Sequence, residues 1–290
     1  MSSELISAKT LIRGAITGLA AYIKPGGLHR LAPVRAFDEV MCNLIASVDH
    51  VAEAISLGER IKRGEIASTS VDYGKLYSSA LKDSFRLCNA THPQYITPLL
   101  IVGVSLGLSG VESILGESAK FKKAIETINS VSKWSDIRQF VDSLKIIDRD
   151  DMFEHLQSLG YTQIAILRSG VTFNDLYRVL SSKWRGFSIV EAREGAVFSY
   201  LKQFSDLYRD YKSLAATSVA FYMELVEPHL PQQFKERTQE VKTCKYMATP
   251  ECSKLMYELD LLFRRNKLLF EWASEVVVLT SSLGSFEGLR

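Results

Sequence analysis

The stretch FDEVMCNLIASVDHVAEAISLGERIKRG, residues 37–64, decides the fold class. Val40, Leu44, Ile45, Val48, Val51, Ile55 and Ile61 recur mostly at steps of three and four, which gathers them on one face of a helix. Gly64 is a natural stop, because glycine accepts the left-handed backbone that ends helices. Upstream, ELISAKTLIRGAITGLAAYI (residues 4–23) repeats the pattern, with Ser2 or Ser3 placed to cap its start. Downstream, DYGKLYSSALKDSFRLCN (72–89) and PLLIVGVSLGL (98–108) read as a third and a fourth helix.

Residues 117–183 break into shorter helical pieces. Within them YTQIAIL (161–167) has the composition of a strand, but it is isolated, and a lone strand has nothing to pair with. A long helical run follows over 188–230, kinked near Leu214, and two helices close the chain at about 232–245 and 250–283. No composition shift marks a domain boundary. The expected architecture is therefore all-α, a single multi-helix domain over residues 1–290.

A net charge of +2 excludes nucleic-acid or membrane binding driven by bulk electrostatics; any anion must be met by local groups. The first apolar segment carries Lys9 and Arg13, unlike a secretory signal. The most apolar window, 95–110, falls short of the roughly twenty residues that a membrane span requires. These features point to the cytoplasm, and there Cys42 and Cys88 are expected to be buried free thiols. Cys244 and Cys252 flank KYMATPE closely enough for a disulfide, though nothing forces one.

Four places carry polar chemistry. The loop AAYIKPGGLHRLAPVRAF (20–37) holds Lys24, Gly26, His29, Arg30 and Arg35. Its cations either offset the C-terminal carbonyls of the preceding helix or, beside the next helix N-terminus, hold a phosphate chain. LCNATHPQYITPLL (87–100) places Asn89, Thr91 and His92 at a helix junction, as caps or as ligand contacts. IIDRDDMFEH (146–155) crowds Asp148, Asp150, Asp151, Glu154 and His155. Those acids either complement a helix dipole or serve Mg²⁺ or a cationic transition state, and their spacing is not that of a calcium loop. VEAREGAVFSYLKQFSDLY (190–208) sets Glu191 and Glu194 in an apolar helix. No Ser-His-Asp order, P-loop, HExxH or GxGxxG is present.

Taken in order, these blocks resemble the triphosphoribosyl-dephospho-CoA synthase family over most of the chain up to about residue 212. KPGGLHR…FDEVMCNLIASV looks like its Lys-Pro-Gly loop and following helix, and CNATHPQYITPLLIVGVSLG stands where the family has an Asn-Thr-Asn stretch. The resemblance implies an all-helical transferase. It displaces adenine from ATP and moves the triphosphoribosyl group to a hydroxyl of dephospho-CoA, with Mg²⁺. Lys24, Gly26, His29, Arg30 and Arg35 would then hold phosphates, and Asn89 and His92 would position the nucleotide. Asp148 and Asp151 would bind the metal, and the same two with Glu194 would steady the sugar cation. Two motifs depart from the family. Asn-Thr-Asn has become Asn89-Ala90-Thr91-His92, and the Asn-Pro-Gly stretch is replaced near RRNKLLFEWASE, with Glu275 as a substitute acid. A non-catalytic relative that keeps the pocket is the alternative. A third reading is a helical interaction protein that pairs as a homodimer through Tyr257, Leu261, Phe263, Leu269, Phe270 and Trp272, although such a stripe more often packs in a core.

Overall fold

The structure is a computed structural model that describes residues 2–191, 196–246 and 249–290. Among these the chain forms fifteen α-helices, three short 3₁₀ turns and no strand. In order they are α1 (Ser3–Ala20), α2 (Ala36–Ala46), α3 (Val48–Lys62), α4 (Tyr73–Cys88), α5 (Pro93–Ser109), α6 (Ser118–Ser130), α7 (Trp134–Ile146) and α8 (Asp150–Ser158). There follow α9 (Gln163–Arg168), α10 (Phe173–Ser181), α11 (Ala196–Tyr211), α12 (Leu214–Val226), α13 (Gln232–Thr243), α14 (Pro250–Arg265) and α15 (Glu271–Phe286). The all-α architecture is as the periodicity indicates.

Three segments differ in detail from the sequence reading. The periodic stretch 37–64 is two helices, bent by 44° at Ser47, whose hydroxyl bonds back to the Leu44 carbonyl at 2.9 Å. YTQIAIL is not extended: Thr162 caps a short helix by accepting the Ala165 N–H at 3.2 Å. The closing run 250–283 splits into α14 and α15, because the Lys-Pro-Gly loop docks at the break. There the Phe270 N–H donates to the Gly26 carbonyl at 2.8 Å. Gly26 has φ +73° and a Cβ on it would lie 2.2 Å from the Leu268 carbonyl oxygen, so no other residue fits.

The helices pack closely where side chains are small. A Cβ on Gly58 of α3 would meet the Val104 carbonyl of α5 at 2.1 Å, and one on Gly107 would meet that of Ile55 at 2.0 Å. The first and last helices pair through serine hydroxyls: Ser281 donates to the Gly14 carbonyl at 2.9 Å and Ser282 to that of Leu11 at 2.8 Å. Apolar side chains form two core clusters, and α15 feeds both, Leu279 and Leu283 into one and Val276 and Val277 into the other. Of the stripe considered as a dimer face, Phe263 and Phe270 lie in the second cluster, while Tyr257 and Leu269 are exposed.

The cysteine expectation is overturned. Cys42 and Cys88 are joined in a disulfide, Cα–Cα 5.8 Å, that ties α2 to α4, and Cys244 is joined to Cys252. The two helices bring thiols 46 residues apart to facing positions, which no sequence spacing discloses. Among the described residues no single helix is long and apolar enough to cross a membrane; α2 and α3 reach that length only as a bent pair.

Candidate functional site

A cleft of about 720 Å³ opens where the first turns of α5, α8 and α15 come together. Its first wall is the turn between α4 and α5. Asn89 ends α4 in the left-handed conformation, φ 55°. The buried Asn43 side chain then pins the turn from both sides, donating to the Ala90 carbonyl at 2.9 Å and accepting the His92 N–H at 2.7 Å. The Thr91 hydroxyl, also buried, bonds to the Leu81 carbonyl at 3.2 Å. His92 is thereby fixed at the cap of α5, its Nε2 3.2 Å from Glu39, and Glu39 in turn meets Arg35 at 3.0 Å. Burial lowers the His92 pKa and the nearby Arg149 charge lowers it further, against the pull of Glu39. The imidazole is neutral at pH 7, with Nε2–H given to Glu39 and Nδ1 left as acceptor.

Arg149 forms the second wall. It precedes α8 and its guanidinium donates to the Thr91 carbonyl at 3.2 Å, to Gln94 at 3.1 Å and to both oxygens of Asp151 at 2.8 and 2.9 Å. Burial alone would raise the Asp151 pKa, but the Arg149 hydrogen bonds and charge outweigh it, and the carboxyl is held below its ordinary range. Trp184 lies behind, with the Arg149 guanidinium 5.9 Å and the Lys183 ammonium 4.8 Å from its ring centre.

Glu275 on α15 is the most perturbed acid of the cleft. It is 5% exposed and accepts the Gly186 N–H at 2.9 Å. Burial pushes its pKa up to about 8, and the Gly186 N–H, Gln94 and Arg149 only partly offset that. At pH 7 most of it is a neutral carboxylic acid. The cleft thus holds one carboxyl kept protonated and another kept ionised.

Of the residues singled out from sequence, Asn89, His92, Asp148 and Asp151 all line this cleft. Lys24, Gly26, His29, Arg30 and Arg35 do not. Lys24 is fully buried, and its ammonium spends its three protons on the carbonyls of Gly18, Leu19 and Ala21 at 2.8, 2.8 and 3.2 Å. It caps α1, which corrects its assignment to phosphate. His29 is buried 3.4 Å from Asp260, Gly26 N–H donates to that same carboxylate at 2.8 Å, and Arg30 is exposed away from the cleft. Arg35 reaches the cleft only through Glu39. Glu194 lies outside the described residues.

The pair Asp148 and Asp151 is a poor fit for Mg²⁺. Both Asp151 oxygens are engaged by the Arg149 guanidinium, and a cation there would face that fixed positive charge. Among the described residues no three His, Cys, Asp or Glu side chains group so as to hold a metal.

No family model, no curated protein and no solved structure matches this chain. The chemistry of the cleft rests on its own groups. Several of these are absent from the sequence reading: Asn43, Gln94, Arg149, Lys183 and Trp184, while Trp272 enters it only as part of a dimer stripe. Glu275 enters it only as a substitute acid. A usable signal was present for two of them, since Gln94 and Glu275 are polar residues set in the apolar runs of α5 and α15.

Proposed function

We propose that the cleft binds a nucleotide and transfers its pentosyl group from the base to an acceptor hydroxyl, as the resemblance to triphosphoribosyl-dephospho-CoA synthases implies for ATP and dephospho-CoA. One observation carries the reading: a protonated Glu275 and an ionised Asp151 share the cleft, the pairing of acid and anion that glycosidic cleavage needs. In this scheme the bond from C1′ to the base nitrogen breaks with its electrons leaving on the base. Glu275 gives its proton to the base. Asp148 and Asp151 face the positive charge that develops on the sugar. The acceptor oxygen bonds to C1′, and its proton passes to Nδ1 of His92, which Glu39 orients. No step runs through a metal.

The test is adenine release from ATP in the presence of dephospho-CoA, followed by chromatography. Wild type should release adenine, and Glu275→Gln should lower the rate about 10²- to 10⁴-fold, the usual worth of a positioned acid. Absence of both ATP binding and adenine release in wild type removes the proposal.

The two-point grip of Arg149 on Asp151 favours a second reading, a non-catalytic relative that keeps the pocket, because it neutralises the anion that chemistry would use. ATP binding without adenine release selects it.

A further inference from the structure

The main cleft is a poor place for a polyphosphate. Glu39, Asp148, Asp151, Glu271 and Glu275 all line it, and of its cations Arg149 is already paired with Asp151. The basic loop at residues 24–30 lies elsewhere, with Lys24 spent on α1. A second pocket of about 420 Å³ adjoins the cleft and shares two of its lining residues, Lys183 and Trp272. Its character is the opposite. Lys183, Arg185 and His229 supply nitrogen donors, Ser182 and Tyr200 supply hydroxyls, and among the described residues no Asp or Glu lines it. None of the three basic residues is in a salt bridge with a described residue. The donors are anchored rather than dangling: Lys183 sits 4.8 Å from the Trp184 ring centre, and His229 meets Trp272 edge-on at 5.2 Å.

We infer that this pocket is a phosphate-binding subsite for the di- or triphosphate tail of a ligand whose base and sugar occupy the cleft, with Lys183 and Trp272 at the junction. The inference rests on reading the cleft as a nucleotide site. Its physical basis is charge sorting: a tail with several negative charges is repelled by the carboxylates on one side of Lys183 and attracted by unpaired donors on the other. The Tyr200 hydroxyl adds a neutral donor, while the single Ser182 hydroxyl proton is given to the Val179 carbonyl at 2.7 Å.

Isothermal titration of the full chain with three probes tests it: sodium tripolyphosphate, adenosine and ATP. In wild type, tripolyphosphate should bind and ATP should bind more tightly than adenosine. The double variant Lys183→Ala/Arg185→Ala should weaken tripolyphosphate about tenfold or more and remove the advantage of ATP over adenosine. Arg185→Ala alone, outside the cleft lining, should weaken tripolyphosphate while leaving adenosine within about twofold. Both side chains are solvent-exposed, so folding is not at stake. Equal tripolyphosphate affinity in the double variant overturns the subsite. So does a loss that appears in Arg30→Ala/Arg35→Ala instead. If adenosine binds and ATP binds no more tightly, the subsite falls and the nucleotide reading stands. If tripolyphosphate depends on Lys183 and Arg185 while adenosine does not bind at all, the anion subsite stands and the nucleotide reading falls.

Discussion

Arg149 and Asp151 face each other across two parallel hydrogen bonds, Nε to Oδ1 at 2.8 Å and Nη2 to Oδ2 at 2.9 Å, and the same guanidinium reaches Thr91 and Gln94 on the opposite wall. One side chain therefore braces the cleft and sets its potential. Arg149→Ala removes a positive charge that lowers the pKa values of Asp151, Glu275 and His92 alike. All three should move upward in a titration followed by NMR, with Asp151 moving furthest because it also loses its hydrogen bonds. The variant should lose about 1–3 kcal/mol of stability from the unpaired Thr91 and Gln94 acceptors. An Asp151 that titrates as in wild type would refute this account of the pair.

Glu275 makes stability depend on pH in a direction opposite to most carboxylates. Its pKa is about 8 in the folded chain and 4.5 in the reference state. Between those values the folded protein keeps a proton that the unfolded chain has lost, so the contribution of this group is fully present below 4.5 and declines as pH rises through 8. Glu275→Gln has no proton to lose. Thermal melts near pH 5 and near pH 9 should show the variant gaining on wild type at the higher pH. A constant difference in Tm across the two would count against a buried neutral acid.

Lys24 acts on the fold and not on the ligand. Burial drives its pKa down to about 7, while three carbonyls at the negative end of α1 favour the charged form. Lys24→Met leaves those acceptors without donors in a dry interior. Urea unfolding should register a loss on the order of 3 kcal/mol or more, with ATP affinity unchanged in the folded fraction. A variant of undiminished stability that no longer binds ATP would restore the phosphate role expected from sequence.

The Cys42–Cys88 bond flanks the cleft, since Asn43 and Asn89 are the next residues on each side. Cys42→Ser opens a loop that spans 46 residues of sequence and should cost about 2–4 kcal/mol. Hydrogen exchange at residues 89–92 should accelerate, because the Asn43 clamp loses its tether. Unaltered exchange there, with unaltered Tm under dithiothreitol, would disprove the link.

How much of this was legible beforehand varies with the physics involved. Helix faces were, because apolar spacing is a local property: Val40, Leu44 and Val51 are all buried as their period indicates. The break at Ser47 was not, as a hydroxyl that bonds back to Leu44 looks in sequence like any other polar residue on a helix. In the cleft, Asn89, His92, Asp148 and Asp151 were legible because polar residues crowd at two junctions. Lys24 was misassigned to phosphate for a matching reason. A lysine after a helix reads equally as a cap or as an anion ligand, and only the inward course of its side chain separates the two. Arg149 hid in plain view among the acids it neutralises.

The serine-mediated seam between α1 and α15 joins hydroxyls and carbonyls more than 260 positions apart along the chain. During synthesis the amino-terminal segment emerges long before its partner exists, with Leu11 and Leu19 bare and waiting. Contacts so distant along the chain form late and leave the nascent chain reliant on whatever shields the apolar face of α1 until α15 has been made.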